Sequence, residues 1–214
     1  MRKIRSFIFL LVTSCLLSAP AVAQEPVYVG ITAEKFNYFA STQRNSEWCW
    51  AASIQMMFNY YGIDISQEQI VARSFNMDPK GKLPNVTGDL KVITENLNNW
   101  SIDNEGKAYQ VNAKLHYGPP SPAYLVKELA NERPVMIGYQ TGPNTGHAVL
   151  ITACSYIPTK NGPQIRSVIV RDPWPSPENK ASAGRIEYWG HSIAKLIQTH
   201  WYVRVNSDPN LASK

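Results

Sequence analysis

The sequence predicts an α+β protein, mainly helical in its first half and built on an antiparallel sheet in its second. Three observations carry that expectation. Between Trp48 and Tyr61 apolar residues recur at helical spacing (Trp50, Ile54, Met57, Phe58, Tyr61). Beyond about Lys107 the chain changes to β-branched and aromatic runs divided by Gly and Pro. These runs follow one another without the helices that parallel strands need between them, so they read as antiparallel neighbours.

In chain order, the first residues read as an export signal. A basic start (Arg2, Lys3, Arg5) precedes an apolar run from Phe7 to Leu17 and the small-residue site Ala21-Val22-Ala23. Residues 1–23 are set aside as a signal peptide, and 24–214 are expected to form one domain without repeats. The apolar run is too short to span a membrane and no longer one follows. The processed protein is therefore expected to be secreted or periplasmic. A competing reading takes Val12-Thr13-Ser14-Cys15 as a lipidation box with Cys15 as the anchored N-terminus, but Ala-Val-Ala is the better formed site.

From Gln24 to about Thr42 the chain reads as an extended lead-in. The helix from Trp48 to Tyr61 is stopped by Gly62, and Ser66-Gln67-Glu68-Gln69 is a capping box opening a second helix toward Phe75. A polar loop with Pro79, Gly81 and Pro84 leads to a third helical stretch, from about Gly88 to Leu97. "KAYQVN" reads as a strand, and Ser121-Pro122 opens a helix through about Asn131, with proline at its tolerated first position. The runs "RPVMIGYQ", "HAVLITACSYI", "IRSVIVRD", "GRIEYW" and "THWYVRV" are then short strands without intervening helices.

Charge narrows the function. Three basic residues and no acid lie in the signal, so the formal +5 falls close to neutrality in the mature chain, which supports neither a nucleic-acid nor a membrane-surface role. Removal of the signal leaves two cysteines, Cys49 and Cys154. In an oxidising compartment two thiols commonly pair, and the sequence leaves that pairing open. Cys154 lies inside an apolar strand run and reads as an inert buried thiol.

Cys49 is different, because it opens a helix, whose positive end favours thiolate over thiol. A thiolate nucleophile needs a base, and His147, between the loop "TGPNTG" and an apolar strand, is the best placed histidine. Asp172 ends the next strand, so antiparallel neighbours bring it near His147 as an orienting acceptor. Gln43, six positions before Cys49, can join the Cys49 backbone N–H in binding an oxyanion.

These residues resemble the papain-like cysteine peptidases. There too a glutamine stands six residues before the nucleophile, Trp-Ala follows it as Trp50-Ala51 does here, and the histidine often has a His-Ala-Val context like His147-Ala148-Val149. Papain's orienting residue is followed two positions on by a tryptophan that shields its bond to the histidine, the place of Trp174 here. Three departures point to a compact bacterial branch resembling bacteriocin leader-processing peptidases and secreted avirulence-type effector proteases. Ser46 replaces a disulfide-forming cysteine, the third residue is Asp rather than Asn, and His147 follows Cys49 by fewer than a hundred positions, against about 130–150 in papain-type enzymes.

The resemblance implies a papain-like fold and a peptidase acting on a protein or peptide substrate through a Cys49 thioester, with no cofactor or metal. Transamidation, isopeptide cleavage and deamidation use the same machinery, and a non-cleaving peptide-binding module is the rival from another class. The lead-in before Gln43 is too short for papain's long inhibitory pro-segment. Trp50 is expected in the core, and Trp48 either there or in a cleft wall. His116, His191 and His200 share no metal-ligand spacing and read as structural or solvated. Asn85-Val86-Thr87 matches a glycosylation sequon. Oligomeric state has no sequence signature here.

Overall fold

The structure, a computed structural model, describes residues 24–206 apart from Asn144. The signal sequence and Cys15 lie outside the described residues. The chain runs β1 (Val27–Gly30), α1 (Ala33–Asn37), α2 (Cys49–Tyr60), α3 (Gln67–Phe75), α4 (Leu90–Asn96), β2 (Asn99–Ile102), β3 (Ala108–Tyr117) and α5 (Pro122–Ala130). It continues with β4 (Val135–Gly142), β5 (Thr145–Ile157), β6 (Gln164–Arg171), α6 (Pro177–Ala181), β7 (Arg185–Trp189), α7 (Gly190–Ala194) and β8 (Ile197–Asn206). The α+β class is as expected.

Among the described residues the strands form one antiparallel sheet in the order β2-β3-β8-β4-β5-β6-β7, with β1 added against β5. Residues alternate between the two faces of β4 and β5, and each face builds a core. Met136 and Leu150 join Trp50, Ile54, Phe58 and Ile70 from the helical half. Val135, Ile137, Val149 and Ile151 join Leu125 and Leu129 of α5 and Ile193 of α7. Coverage of both faces explains why β5 reads as a continuous apolar run.

The sequence signals for α2 and α3 hold in detail. α2 is buried along most of its surface, and Gly62 (φ 73) follows it. α3 carries both halves of the capping box, Ser66 Oγ to the Gln69 N–H and Gln69 Oε1 to the Ser66 N–H. Other expectations are corrected. The lead-in is not wholly extended, because Thr32 accepts from the Lys35 N–H and starts α1. The strand runs are interrupted by α6 and α7, single turns too short to show a 3.6-residue period. Ser121 stands at the start of α5 without a side-chain capping bond.

Candidate active site

α2 begins at Cys49 itself, so the Cys49 backbone N–H is one of the donors that no helical turn satisfies. The helix is tied to the sheet one turn later. Ser53, fully buried and four residues on, donates from Oγ to the carbonyl of Ala148 at 2.9 Å. Residues four apart share a helix face, and Ala148 follows His147, so this bond braces the two elements beside the Cys49–His147 pair.

β5 and β6 are antiparallel, with Leu150 opposite Arg171, and His147 and Asp172 lie just past that pairing. His147 Nε2 and Asp172 Oδ1 are 2.7 Å apart. The same oxygen accepts the Trp174 N–H at 2.8 Å. With Nε2 on the carboxylate, the imidazole lies near enough to Cys49 for the thiol to raise its pKa. Burial pulls the His147 pKa down, but the hydrogen bond to Asp172, the neighbouring Cys49 and the charges of both outweigh it, and the pKa rises to about 9.

Gln43 is brought to the same corner by its backbone N–H, which donates to the Pro173 carbonyl at 2.8 Å. Its side chain is buried, with Nε2 donating to the carbonyls of Asn45 (3.0 Å) and Ser46 (2.7 Å), while Oε1 has no partner. Two carbonyl oxygens on one side fix the amide in this sense, since the flipped amide would oppose oxygen to oxygen. Donation to an oxyanion therefore exchanges one of these two bonds.

The tryptophans flanking Cys49 both pack in the core, as expected for Trp50 and as one of the two alternatives for Trp48. Both are buried, but it is Trp50 that lines the cleft beside Cys49. Their indole N–H groups donate to Pro84 O (2.9 Å) and Val86 O (3.2 Å), strapping residues 84–88 across the start of α2. Gly88 allows this approach, because a Cβ there would stand 2.6 Å from the Trp50 ring. Asn85 completes the strap, accepting the Glu47 N–H and donating to Ser46 Oγ. The sequon asparagine is thus bonded to the turn before the nucleophile.

Trp174 meets the His–Asp pair through its backbone, and its ring is half exposed. The ring set edge-on to the imidazole belongs to Tyr139, at 5.8 Å between centroids. Tyr139 is the cross-strand partner of His147. It was missed in the sequence, because counting back across the "TGPNTG" turn pairs His147 with Gln140, and the bulge between Gln140 and Gly142 shifts the partner to Tyr139. Ser53 was also missed, although a lone hydroxyl four residues after the nucleophile, in an otherwise apolar stretch, marks it.

The cleft holds about 600 Å³. Trp50, Gly88, Leu90 and Ile93 form one wall, and Gly138, Tyr139, Ala148 and Thr199 lie on the other side. Among its described lining residues none is Asp, Glu, Lys or Arg.

The remaining sulfur and imidazole groups stand apart. Cys49 and Cys154 are both free, and Cys154 lies in the core shared with α5 and α7, its pKa pushed up to about 12 by burial. His116 and His200 stack at 5.0 Å, and His200 Nδ1 bonds to Gly118 O. Among the described residues no three His, Cys, Asp or Glu side chains gather as metal ligands, and no helix is long and apolar enough to cross a membrane.

A family model described as the Peptidase_C39 like family matches residues 34–195, a span that includes Gln43, Cys49, His147 and Asp172. The chain belongs to that family. The C39-like chain is also similar to the solved peptidase domain of Streptococcus ComA, a bi-functional ABC transporter involved in a quorum sensing pathway. They are 12% identical, the match covers 76% of this chain and 95% of that one, and the TM-score is 0.49. The digestive procathepsin L2 proteinase of the Tenebrio molitor larval midgut is 15% identical to the C39-like chain, with 82% and 67% covered and a TM-score of 0.47. No curated protein matches.

Proposed function

We propose that this C39-like protein is a secreted or periplasmic cysteine peptidase that hydrolyses peptide bonds through a thioester on Cys49, with His147 and Asp172 as its partners. The observation that carries the reading is the bonded His147–Asp172 pair whose imidazole also meets the thiol at the start of α2, on the rim of a cleft. Cys49 Sγ attacks the carbonyl carbon, and the oxyanion is bound by the Cys49 N–H and by the Gln43 amide once it exchanges a carbonyl for it. The His147 imidazolium protonates the departing amine as the carbon–nitrogen bond breaks. His147, now neutral, takes a proton from water as the oxygen attacks the thioester, which releases the acid and restores the thiolate–imidazolium pair. Each step balances with substrate and water alone. Away from the Cys49–His147 pair, a lining with no Asp, Glu, Lys or Arg among its described residues fits a substrate segment without charged side chains.

The test joins two measurements on the mature protein. Hydrolysis of a panel of neutral peptides is expected to vanish in Cys49→Ala. Brief iodoacetamide labelling at mildly acidic pH, where ordinary thiols of pKa about 8.5 are silent, is expected to modify Cys49 quickly and to slow sharply in His147→Ala. Retained hydrolysis in Cys49→Ala would overturn the mechanism. Slow labelling with no cleavage would favour a non-cleaving peptide binder.

A further inference from the structure

Arg171, the last residue of β6, is only 1% exposed. Among the described residues no carboxylate stands within ion-pair distance of it. Burying a guanidinium without a counter-ion is unfavourable, and an apolar side chain of similar volume ordinarily stabilises a fold more. The cation is therefore explained by what its hydrogen bonds hold.

Nη1 donates to Asn37 Oδ1 at 2.8 Å and to the Ala183 carbonyl at 3.0 Å, and Nη2 donates to the Ala33 carbonyl at 3.4 Å. The guanidinium lies over the Phe36 ring, 5.3 Å from its centroid, and Nε has no partner. One set of bonds ties down α1. The bond to Ala183 reaches the turn between α6 and β7, where Ala183 (φ 52) and Gly184 (φ 69) are both left-handed. A left-handed alanine is strained by roughly 1–2 kcal/mol, and the Arg171 bond adds to the turn's own backbone bonds, Gly184 N–H to Asn179 O and Arg185 N–H to Ser182 O, in holding this shape.

That turn lies on Asp172. The Gly184 carbonyl accepts the Asp172 N–H at 2.8 Å. A Cβ on Gly184 would come within 2.4 Å of the Asp172 carbonyl oxygen, so backbone rests directly on backbone. Forward of Asp172, the Pro173 carbonyl holds the Gln43 N–H and the Trp174 N–H holds the Asp172 carboxylate. Residues 171–174 thus touch His147, Gln43 and the turn, and Arg171 acts on the turn from its buried side, beside Asn179, whose carbonyl accepts the Gly184 N–H and whose Nδ2 donates to Trp174 O at 3.1 Å.

We propose that Arg171 is a positioning residue: by gripping the Ala183 carbonyl it seats the Ala183–Gly184 turn on the backbone of Asp172 and so fixes the carboxylate against His147. This inference rests on the reading above that Asp172 orients His147. Arg171 touches neither substrate nor reacting atoms. Its effect passes through the placement of one carboxylate.

The test is an NMR titration of the His147 imidazole in the full mature chain, which needs no hydrolysis. Three variants are compared with the parent: Arg171→Met, Arg171→Lys and Asn37→Ala. In Arg171→Met the His147 midpoint is expected to fall by about one pH unit, because a loosened carboxylate supports the imidazolium less. Arg171→Lys, which keeps the charge with one donor group, falls between. Asn37→Ala removes one of the two bonds to α1 but leaves the Ala183 bond, and its midpoint stays at the parent value. A folded Arg171→Met with an unmoved midpoint overturns the proposal, as does an equal fall in Asn37→Ala, which would indicate general loosening of α1. If Arg171→Met does not fold, Arg171→Lys decides: an unmoved midpoint overturns the proposal and a fall supports it. Failure here is distinct from failure of the peptidase reading, which Cys49→Ala decides by hydrolysis.

Discussion

Ser53→Ala tests whether the helix that carries Cys49 is held to the strand that carries His147 by a single buried hydroxyl. Ser53 is fully buried, and its 2.9 Å bond to the Ala148 carbonyl links elements far apart in sequence. A buried neutral hydrogen bond contributes about 1 kcal/mol net, and the missing oxygen leaves only a small void. For a domain of this size that corresponds to a fall in Tm of about 2–4 °C, measurable by thermal or urea unfolding. The functional effect is expected to exceed the loss of stability. The bond lies one helical turn from Cys49 and next to His147, and a misplacement near 1 Å between reacting groups lowers rates by up to about 10²-fold. Cys49 alkylation and peptide turnover should therefore slow by roughly tenfold at a temperature where the variant is fully folded, with KM little changed. A variant with parent Tm, alkylation rate and kcat would refute the argument, because the brace would then carry no load.

Two further outcomes follow from titrating groups. Because the folded His147 pKa is raised from 6.5 to about 9, its contribution to stability is complete below about pH 6.5 and is lost as pH rises through about 9. Urea unfolding from pH 6 to 10 should show a decline of about 3 kcal/mol that His147→Gln lacks, and parallel slopes in the two proteins would contradict it. Glu128 is 1% exposed and is held by Arg133 at 2.9 Å and Arg204 at 2.7 Å, which outweigh burial and lower its pKa. Glu128→Gln should cost about 2–3 kcal/mol at pH 7, below the roughly 3–5 kcal/mol for breaking a fully buried pair because Arg204 is 47% exposed. Its deficit should narrow as pH falls through the depressed folded pKa, and a deficit constant with pH would show that charge is not its origin.

What was legible in the sequence depended on the range of the signal. The α2 period and the Ser66 capping box are local patterns, and both elements formed where those patterns stand. The nearness of His147 and Asp172 was legible because a hairpin converts sequence distance into spatial distance. α1, α6 and α7 escaped because single turns show no period, although Ser176-Pro177 at the start of α6 repeats the signal that revealed α5. The core burial of Trp50 was legible, but the acceptors of both indole N–H groups were hidden because they lie on a loop more than thirty residues away. The engagement of the Gln43 amide was equally hidden, since its acceptors are backbone oxygens of the next turn, which carry no sequence identity.

The turn before Cys49 is held by hydrogen bonds where papain-type enzymes have sulfur. Asn85 grips Ser46 and Glu47, and both indoles grip the same loop from the other side. If Cys49 is the nucleophile of an exported protein, as proposed, it is exposed to oxidation, and a thiol reductant is what returns its disulfide or sulfenic forms to the thiol. With Cys49 and Cys154 both free, such a reductant meets no covalent link in the described site to cut. On the proposed reading, Cys49 can be returned to the thiol without its scaffold coming apart, a separation of repair from architecture that a disulfide-stapled site does not have.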